Sequence, residues 1–184
     1  MTQYVDSEYR QVDGANAQKW GVGVPLTTFR ELVSDDIPAM AGTPPAGLLA
    51  KDSTPNLETQ DGDTDGALRL EWASSNGDEV VFQIPLPPWL DPSEDLTVRL
   101  HAAMGGTTDS LVVAADTFFD SADSKVSDNS GTVTGTVPAD YTITIATADI
   151  PIGARTASIA LTPGAHTNDS LYLYSCWVEG TVIP

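Results

Sequence analysis

The feature that most constrains the fold is an alternation of apolar and polar residues that begins near residue 67 and recurs to the end of the chain. Leu68, Leu70 and Trp72 alternate with Arg69 and Glu71. Similar periods of two occur at 80–84, 96–102, 141–145, 157–161 and 171–183, and a further apolar stretch spans 111–119. Because successive side chains of a strand point to opposite faces, the pattern predicts β-strands with a buried face.

Turn-forming residues separate these segments. Asn76-Gly77 follows the first one, and both residue types tolerate the positive φ angles of a tight hairpin. Four prolines surround Trp89 in the segment 85–92, where a ladder strand could not continue. About eight short strands with almost no helical period predict an all-β fold, a jelly-roll-like antiparallel β-sandwich over residues 67–184.

Residues 1–66 lack this regularity. Prolines and glycines interrupt the segment, and only residues 27–34 have the pattern of a short helix. Aromatic residues nevertheless recur, among them Tyr4, Tyr9 and Trp20. We therefore expect residues 1–66 to form an extended, mostly irregular N-terminal arm whose aromatic side chains anchor it on its own domain or on a neighbour.

The charge of the chain disfavours several classes of partner. Lys and Arg number 8 against 26 Asp and Glu, which gives a net charge of −18. Nucleic acid and anionic lipid both require a basic patch, so we predict that the chain binds neither. No apolar run reaches the roughly 18–20 residues of a membrane-spanning helix. Residues 1–20 have no apolar signal core, which predicts synthesis in the cytoplasm without a signal peptide.

A partial calcium motif precedes the first strand. Asp61, Asp63 and Asp65 occupy alternate positions, as in the first half of a calcium-binding loop. Trp72 stands where the bidentate acidic ligand is required, and Asp and Gly also form ordinary solvated turns. We therefore predict no metal site, with a weak calcium site at these three residues as the alternative.

A catalytic site is not predicted either. His101, His166 and Cys176 lack the close spacing of zinc ligands, and no Gly-x-Ser-x-Gly turn is present. Glu71 and Glu179 are the acids best placed within strands for a glycosidase pair, but an outward-facing sheet surface explains them more simply. The chain is predicted to have no catalytic residue, no cofactor and no enzymatic activity.

Aromatic residues provide the candidate partner-binding surface. Trp72 and Trp177 are in phase with rows of leucine, which predicts that both lie in the core. The final strand carries further aromatic residues, so both of its faces are apolar. The residues expected to contact a partner are Tyr4, Tyr9, Trp20, Trp89, Tyr172 and Tyr174.

Residues 68–183 resemble the small jelly-roll virion proteins of tailed bacteriophages, in particular capsid decoration (cement) proteins. The likeness lies in the Trp72 strand, the strands at 80–87 and 95–100, and the turn at 161–166 before a tyrosine-rich final strand. It implies a homotrimer that binds the major capsid protein on the outside of an assembled shell, and a location in the virion. The alternative is a carbohydrate- or receptor-binding sandwich of a phage head fibre or tail tip.

Overall fold

The structure, a computed structural model, describes residues 17–33, 36–42, 45–49, 55–61, 65–120 and 124–183. Short 3-10 helices lie at Leu26–Thr28, Pro45–Gly47 and Thr147–Asp149, and none of the described helices is long and apolar enough to cross a bilayer. The strands in chain order are β1 (Gln18–Val24), β2 (Arg30–Leu32), β3 (Asn56–Asp61), β4 (Asp65–Trp72), β5 (Glu79–Pro85), β6 (Leu96–Met104), β7 (Val113–Phe119), β8 (Val126–Asn129), β9 (Ala139–Ile145), β10 (Thr156–Pro163) and β11 (Leu171–Val182).

These strands form two antiparallel sheets. The larger sheet has the order β3-β4-β11-β6-β9, and β1 pairs with the C-terminal half of β11. The smaller sheet has the order β2-β5-β10-β7-β8. The predicted all-β antiparallel β-sandwich is confirmed. Strands β4 to β7 and β9 to β11 coincide with predicted segments, whereas β8 lies in a polar stretch where no strand was expected.

The inward rows of the two sheets make one hydrophobic core. Trp72 is 1% exposed, and its indole Nε1 donates to the carbonyl oxygen of Asp78 at 2.9 Å, so its polar atom is satisfied. Burial of each large apolar side chain contributes about 1.5–3 kcal/mol to folding. Cys176 is also buried, as predicted, and desolvation raises the pKa of its thiol.

The described part of residues 1–66 belongs to both sheets. β1 pairs with β11, β2 pairs with β5, and β3 forms a hairpin with β4. Phe29 is 1% exposed and its ring lies 4.9 Å from that of Phe82. An irregular arm was expected here, divided from the sandwich at residue 66. The glycines of β1 are turn signals and β2 has only three residues, so neither segment predicts a strand clearly. The helix expected at 27–34 is also replaced, by one 3-10 turn and β2.

Candidate functional site

β11 lies inside the larger sheet and contains a β-bulge. Leu173 pairs with Ala102 of β6, whereas Ser175 pairs with the adjacent His101. Tyr174 is therefore an additional residue on β11, and a bulge of this kind shifts the alternation of every side chain that follows it.

Three aromatic side chains of β11 lie on the outer face of the larger sheet, and the bulge is what turns Trp177 to that face. Cys176 and Val178 are buried beneath it, whereas Tyr172, Tyr174 and Trp177 are half-buried. The prediction that Trp177 lies in the core is therefore wrong. It extrapolated the leucine phase of residues 171–173 through a strand whose phase changes at Tyr174. The predicted position of Trp72 in the core is confirmed.

Tyr172 is packed from two directions. The guanidinium carbon of Arg69 lies 3.8 Å from the centroid of its ring, within the range of a cation–π contact. A Cβ atom on Gly105 would lie 3.1 Å from the ring, so the absence of a side chain at Gly105 accommodates Tyr172. Arg69 Nε also donates to Glu58 Oε1 at 2.8 Å. These contacts fix both the Tyr172 ring and the Arg69 guanidinium.

Tyr174 lies between two other rings. Its centroid is 6.4 Å from that of Tyr172 and 6.2 Å from that of His101. His101 Nδ1 lies 2.6 Å from Asp140 Oδ1 on the neighbouring strand β9. Tyr174 is thus positioned by packing on the outer face, where its hydroxyl and ring can meet a ligand.

Trp177 is oriented by Glu179. Trp177 Nε1 donates to Glu179 Oε1 at 2.8 Å, and Arg99 Nε donates to Glu179 Oε2 at 2.9 Å. Hydrogen bonds from Arg99 and then Trp177 lower the pKa of the Glu179 carboxyl, so it is ionised at neutral pH. An ionised carboxylate with both oxygens engaged does not serve as a general acid.

Glycines leave the surface beside Trp177 uncovered. In the register of β1 with β11, Gly23 lies opposite Trp177 and Gly21 lies opposite Glu179. Directly paired residues project to the same face, so both glycines are on the outer side. A Cβ atom on Gly23 would meet no heavy atom within 4 Å. The indole is therefore bordered on the β1 side by bare backbone.

Charged groups surround these aromatic residues in opposed pairs. Arg69 pairs with Glu58, and Arg99 pairs with Glu179. Lys19 donates to Thr181 Oγ1 at 3.1 Å. Among the residues whose side chains the structure describes, the register places three Lys or Arg residues and four acids on this face, namely Lys19, Arg69, Arg99, Glu58, Glu71, Asp140 and Glu179. We call this surface, with Tyr172, Tyr174 and Trp177, the aromatic face.

The other predicted contact residues have different locations. Trp20 lies on the inner side of β1, half-buried against the core. Trp89 is 65% exposed in the loop between β5 and β6. Tyr4 and Tyr9 lie outside the described residues.

The candidate ionisable residues are separated from one another. Glu71 is paired with Tyr172, so along β11 it lies roughly 20 Å from Glu179 at about 3.3 Å per residue. A glycosidase pair would be no more than about 9.5 Å apart, so these two acids do not form one. His166 is buried with its ring nitrogens 2.9 Å from Gly164 O and 3.1 Å from Ala73 O.

Within the ranges that the structure describes, no three His, Cys, Asp or Glu residues are grouped as metal ligands. The alternative calcium site cannot be placed within those ranges, since Asp63 lies outside them.

Comparisons with known proteins identify similar folds. No family model matches the chain, and no curated protein is significantly similar. A xylan-binding module, CBM15, superposes with a TM-score of 0.51 at 12% identity, covering 90% of this chain and 97% of that one. Xylanase 10C of Cellvibrio japonicus with xylopentaose has a TM-score of 0.49 at 13% identity, over 85% of this chain. The CBM22-1 and GH10 modules of Clostridium thermocellum xylanase 10B with xylohexaose have a TM-score of 0.48 at 9% identity, over 84% of this chain.

This chain spans 28% and 26% of the lengths of the two xylanase chains. The xylan-binding module, at 12% identity, shares the sandwich fold with this chain.

These findings correct the interpretation of the chain as a capsid decoration protein. A structure that superposes with a TM-score above 0.5 is a xylan-binding module and not a capsid protein. The misreading arose because a jelly-roll-like sequence pattern specifies a sandwich without specifying its use. The homotrimer, the location of the protein and its lack of binding to nucleic acid or membrane stay predictions.

Proposed function

We propose that the chain is a non-catalytic carbohydrate-binding protein whose aromatic face binds a neutral polysaccharide. The observation that carries the proposal is the alignment of Tyr174 and Trp177 on one strand beside the bare backbone of Gly23. An aromatic ring offers a flat apolar surface to the C–H groups of a sugar ring. Fixed carboxylate and guanidinium groups around it supply the acceptors and donors that sugar hydroxyls need.

The pairing of charges supports a neutral ligand. Among the described side chains, the aromatic face carries three Lys or Arg residues against four acids, and both arginines already contact a carboxylate. A uronate or sulfated polymer would gain no excess positive charge there, and it would meet the net charge of −18 of the whole chain. A xylan is a suitable first probe, since the sandwich of a xylan-binding module resembles this fold.

The experiment is affinity electrophoresis, followed by calorimetry, of the purified chain against xylan, β-glucan and galactan. Trp177→Ala should weaken binding of the retained polysaccharide by at least about tenfold, because truncation of a central contact aromatic costs on the order of 2 kcal/mol. Gly23→Val should also weaken binding, since the valine side chain would cover the bare backbone beside Trp177. A Cβ atom at this position meets no heavy atom within 4 Å, so the substitution fits without a clash.

Phe118→Ala is the matched control. Phe118 is an aromatic residue on β7 of the opposite sheet and is 43% exposed. This substitution should leave binding unchanged. Equal losses from Phe118→Ala and Trp177→Ala, or unchanged binding by both Trp177→Ala and Gly23→Val, would contradict the location of the site.

A further inference from the structure

We propose that Trp89 is a second, distal contact on the aromatic face, and that the ligand is an extended linear glycan that follows β11 from Tyr174 past Trp177 to Trp89. This inference rests on the proposed function and adds the length and path of the ligand. Trp89 belongs to a loop between β5 and β6, and three observations connect that loop to the aromatic face.

The first observation is that residues 89–91 add a short rung to β11. Leu90 forms an antiparallel bridge with Val182. Asp91 N donates to Thr181 O at 2.8 Å, and Ile183 N donates to Trp89 O at 2.9 Å. These two hydrogen bonds flank the bridge, as in a regular antiparallel ladder.

The second observation is the direction of Leu90. A Cβ atom on Gly180 would lie 3.2 Å from Leu90 Cδ1 and 2.8 Å from Leu96 Cδ2, and Leu90 packs against the core. Leu90 therefore points inwards. Since side chains alternate across a bridged segment, its neighbour Trp89 lies on the outer side, level with Ile183. That side is the one on which Trp177 and Glu179 lie.

The third observation is that the loop holds Trp89 in place while leaving it uncovered. Leu90 N donates to Pro87 O at 3.0 Å, which closes a turn around Pro88 and Trp89. Asp91 Oδ1 accepts from Ser93 N at 2.9 Å and from Ser93 Oγ at 2.6 Å. Trp89 is nevertheless 65% exposed. A large aromatic side chain that is exposed on a fixed loop is preorganised for contact, since little backbone entropy is lost on binding.

The spacing of the two tryptophans sets the minimum length of the ligand. Ile183 follows Trp177 by six residues, which corresponds to roughly 20 Å along a strand at about 3.3 Å per residue. A ligand that contacts both indoles must be an extended chain of several sugar units. A short oligosaccharide can reach Trp177 or Trp89, but not both at once.

The test measures affinity as a function of ligand length for the whole chain and its variants. Xylo-oligosaccharides of increasing length, and the matching series from whichever neutral polysaccharide is retained most strongly, are titrated by calorimetry. For the wild-type chain, affinity should rise with length until one ligand spans both tryptophans. Trp89→Ala should bind the short ligands as the wild type does and lose at least about threefold with the long ones. Trp177→Ala should weaken both.

Several outcomes separate this inference from the proposed function. The inference is overturned if Trp89→Ala weakens short and long ligands equally, or changes neither, while Trp177→Ala still abolishes binding. If the wild-type chain binds no neutral glycan of any series, the proposed function itself fails. Phe118→Ala serves as the exposed-aromatic control, and Trp89→Phe, which keeps an aromatic ring, should restore most of the length dependence. Thermal unfolding of each variant shows that the sandwich is retained.

Discussion

At the scale of single residues, Glu31 is a buried acid whose charge opposes folding. Its side chain is 6% exposed, and Oε2 has no hydrogen-bond partner among the residues that the structure describes. Desolvation, and then the nearby charge of Asp78, raise the pKa of the Glu31 carboxyl. Because its pKa is higher in the folded chain, Glu31 favours the folded state below the ordinary value of about 4.3, and this contribution is lost as the pH rises through the raised pKa.

Glu31→Gln removes that charge and should therefore stabilise the protein at neutral pH. We expect Tm to increase by a few degrees at pH 7, because about 1 kcal/mol corresponds to roughly 2–4 °C in a chain of this size. Near pH 4 the wild-type carboxyl is already largely protonated, so the difference should nearly vanish. Calorimetric melts at the two pH values check this, with the exposed Glu94→Gln as the control. A gain of the same size at both pH values would exclude the charge as its cause.

At the scale of elements, the strands were predictable where their alternation is unbroken, and the candidate site was not. Leu70 and Trp72 of β4 are buried in their predicted phase, whereas Leu68 is 42% exposed. On β11 a single inserted residue, Tyr174, changes the phase, and no local residue pattern marks a bulge that is defined by pairing with a distant strand. The outward position of Trp177 on the aromatic face could therefore not be predicted without knowing how β11 pairs with β6.

β1 illustrates a second limit of reading a sequence alone. Trp20, Val22 and Val24 alternate with Lys19, Gly21 and Gly23, which is a period of two. Glycine is also a strong turn signal, so the sequence alone predicts an irregular segment here. Its glycines are on the outer side of an edge strand beside Trp177, where a larger side chain would narrow the candidate site. A glycine at every second position next to alternating apolar residues is the signal that could have identified the strand.

Two loops that precede β7 and β11 are joined by reciprocal carboxylate contacts. Asp109 Oδ2 accepts from the backbone N–H groups of Thr167, Asn168 and Asp169 at 2.6–3.0 Å. Asp169 Oδ2 accepts from the backbone N–H groups of Thr108 and Asp109. These bonds satisfy five backbone donors and hold the start of β11 beside β6.

Asp109→Ala should destabilise this connection in a pH-dependent manner. Hydrogen bonds from Asn168 and its neighbours lower the pKa of Asp109, so the carboxylate stabilises the folded chain above its ordinary value of about 3.9. The stabilisation is lost as the pH falls towards the lowered pKa. The variant should therefore melt below the wild type at pH 7, with a gap that narrows below pH 4. Asp109→Asn, which keeps one acceptor oxygen, should fall between them. A gap that is constant with pH would show that lost packing, rather than the carboxylate, is responsible.

At the scale of the whole molecule, charge and fold constrain function in different ways. The sandwich is shared with proteins that bind sugars, yet the fold alone would suit many partners. The net charge of −18 disfavours negatively charged partners, because it repels any polyanion that approaches the chain. The ion pairs on the aromatic face act at short range, where under the proposed function they would orient sugar hydroxyl groups without attracting a polyanion.

This difference in range makes salt a direct test of the ligand class. Binding to a neutral polysaccharide depends on stacking and on hydrogen bonds to groups that are already paired, so we expect its affinity to change by less than about twofold between roughly 0.05 and 0.5 M NaCl. Polygalacturonate, as the acidic comparison, should bind weakly throughout, since lowering the salt extends the Debye length to beyond about 10 Å and strengthens its repulsion. Retention of polygalacturonate that increases at low salt would contradict the neutral ligand, because it would require an excess of positive charge on the binding surface.

Arg69→Ala provides an internal check of the same idea. The substitution removes a guanidinium that can donate to sugar hydroxyls, and it removes the contact that holds the Tyr172 ring in place. It should therefore weaken binding of the neutral polysaccharide by the same factor at every salt concentration.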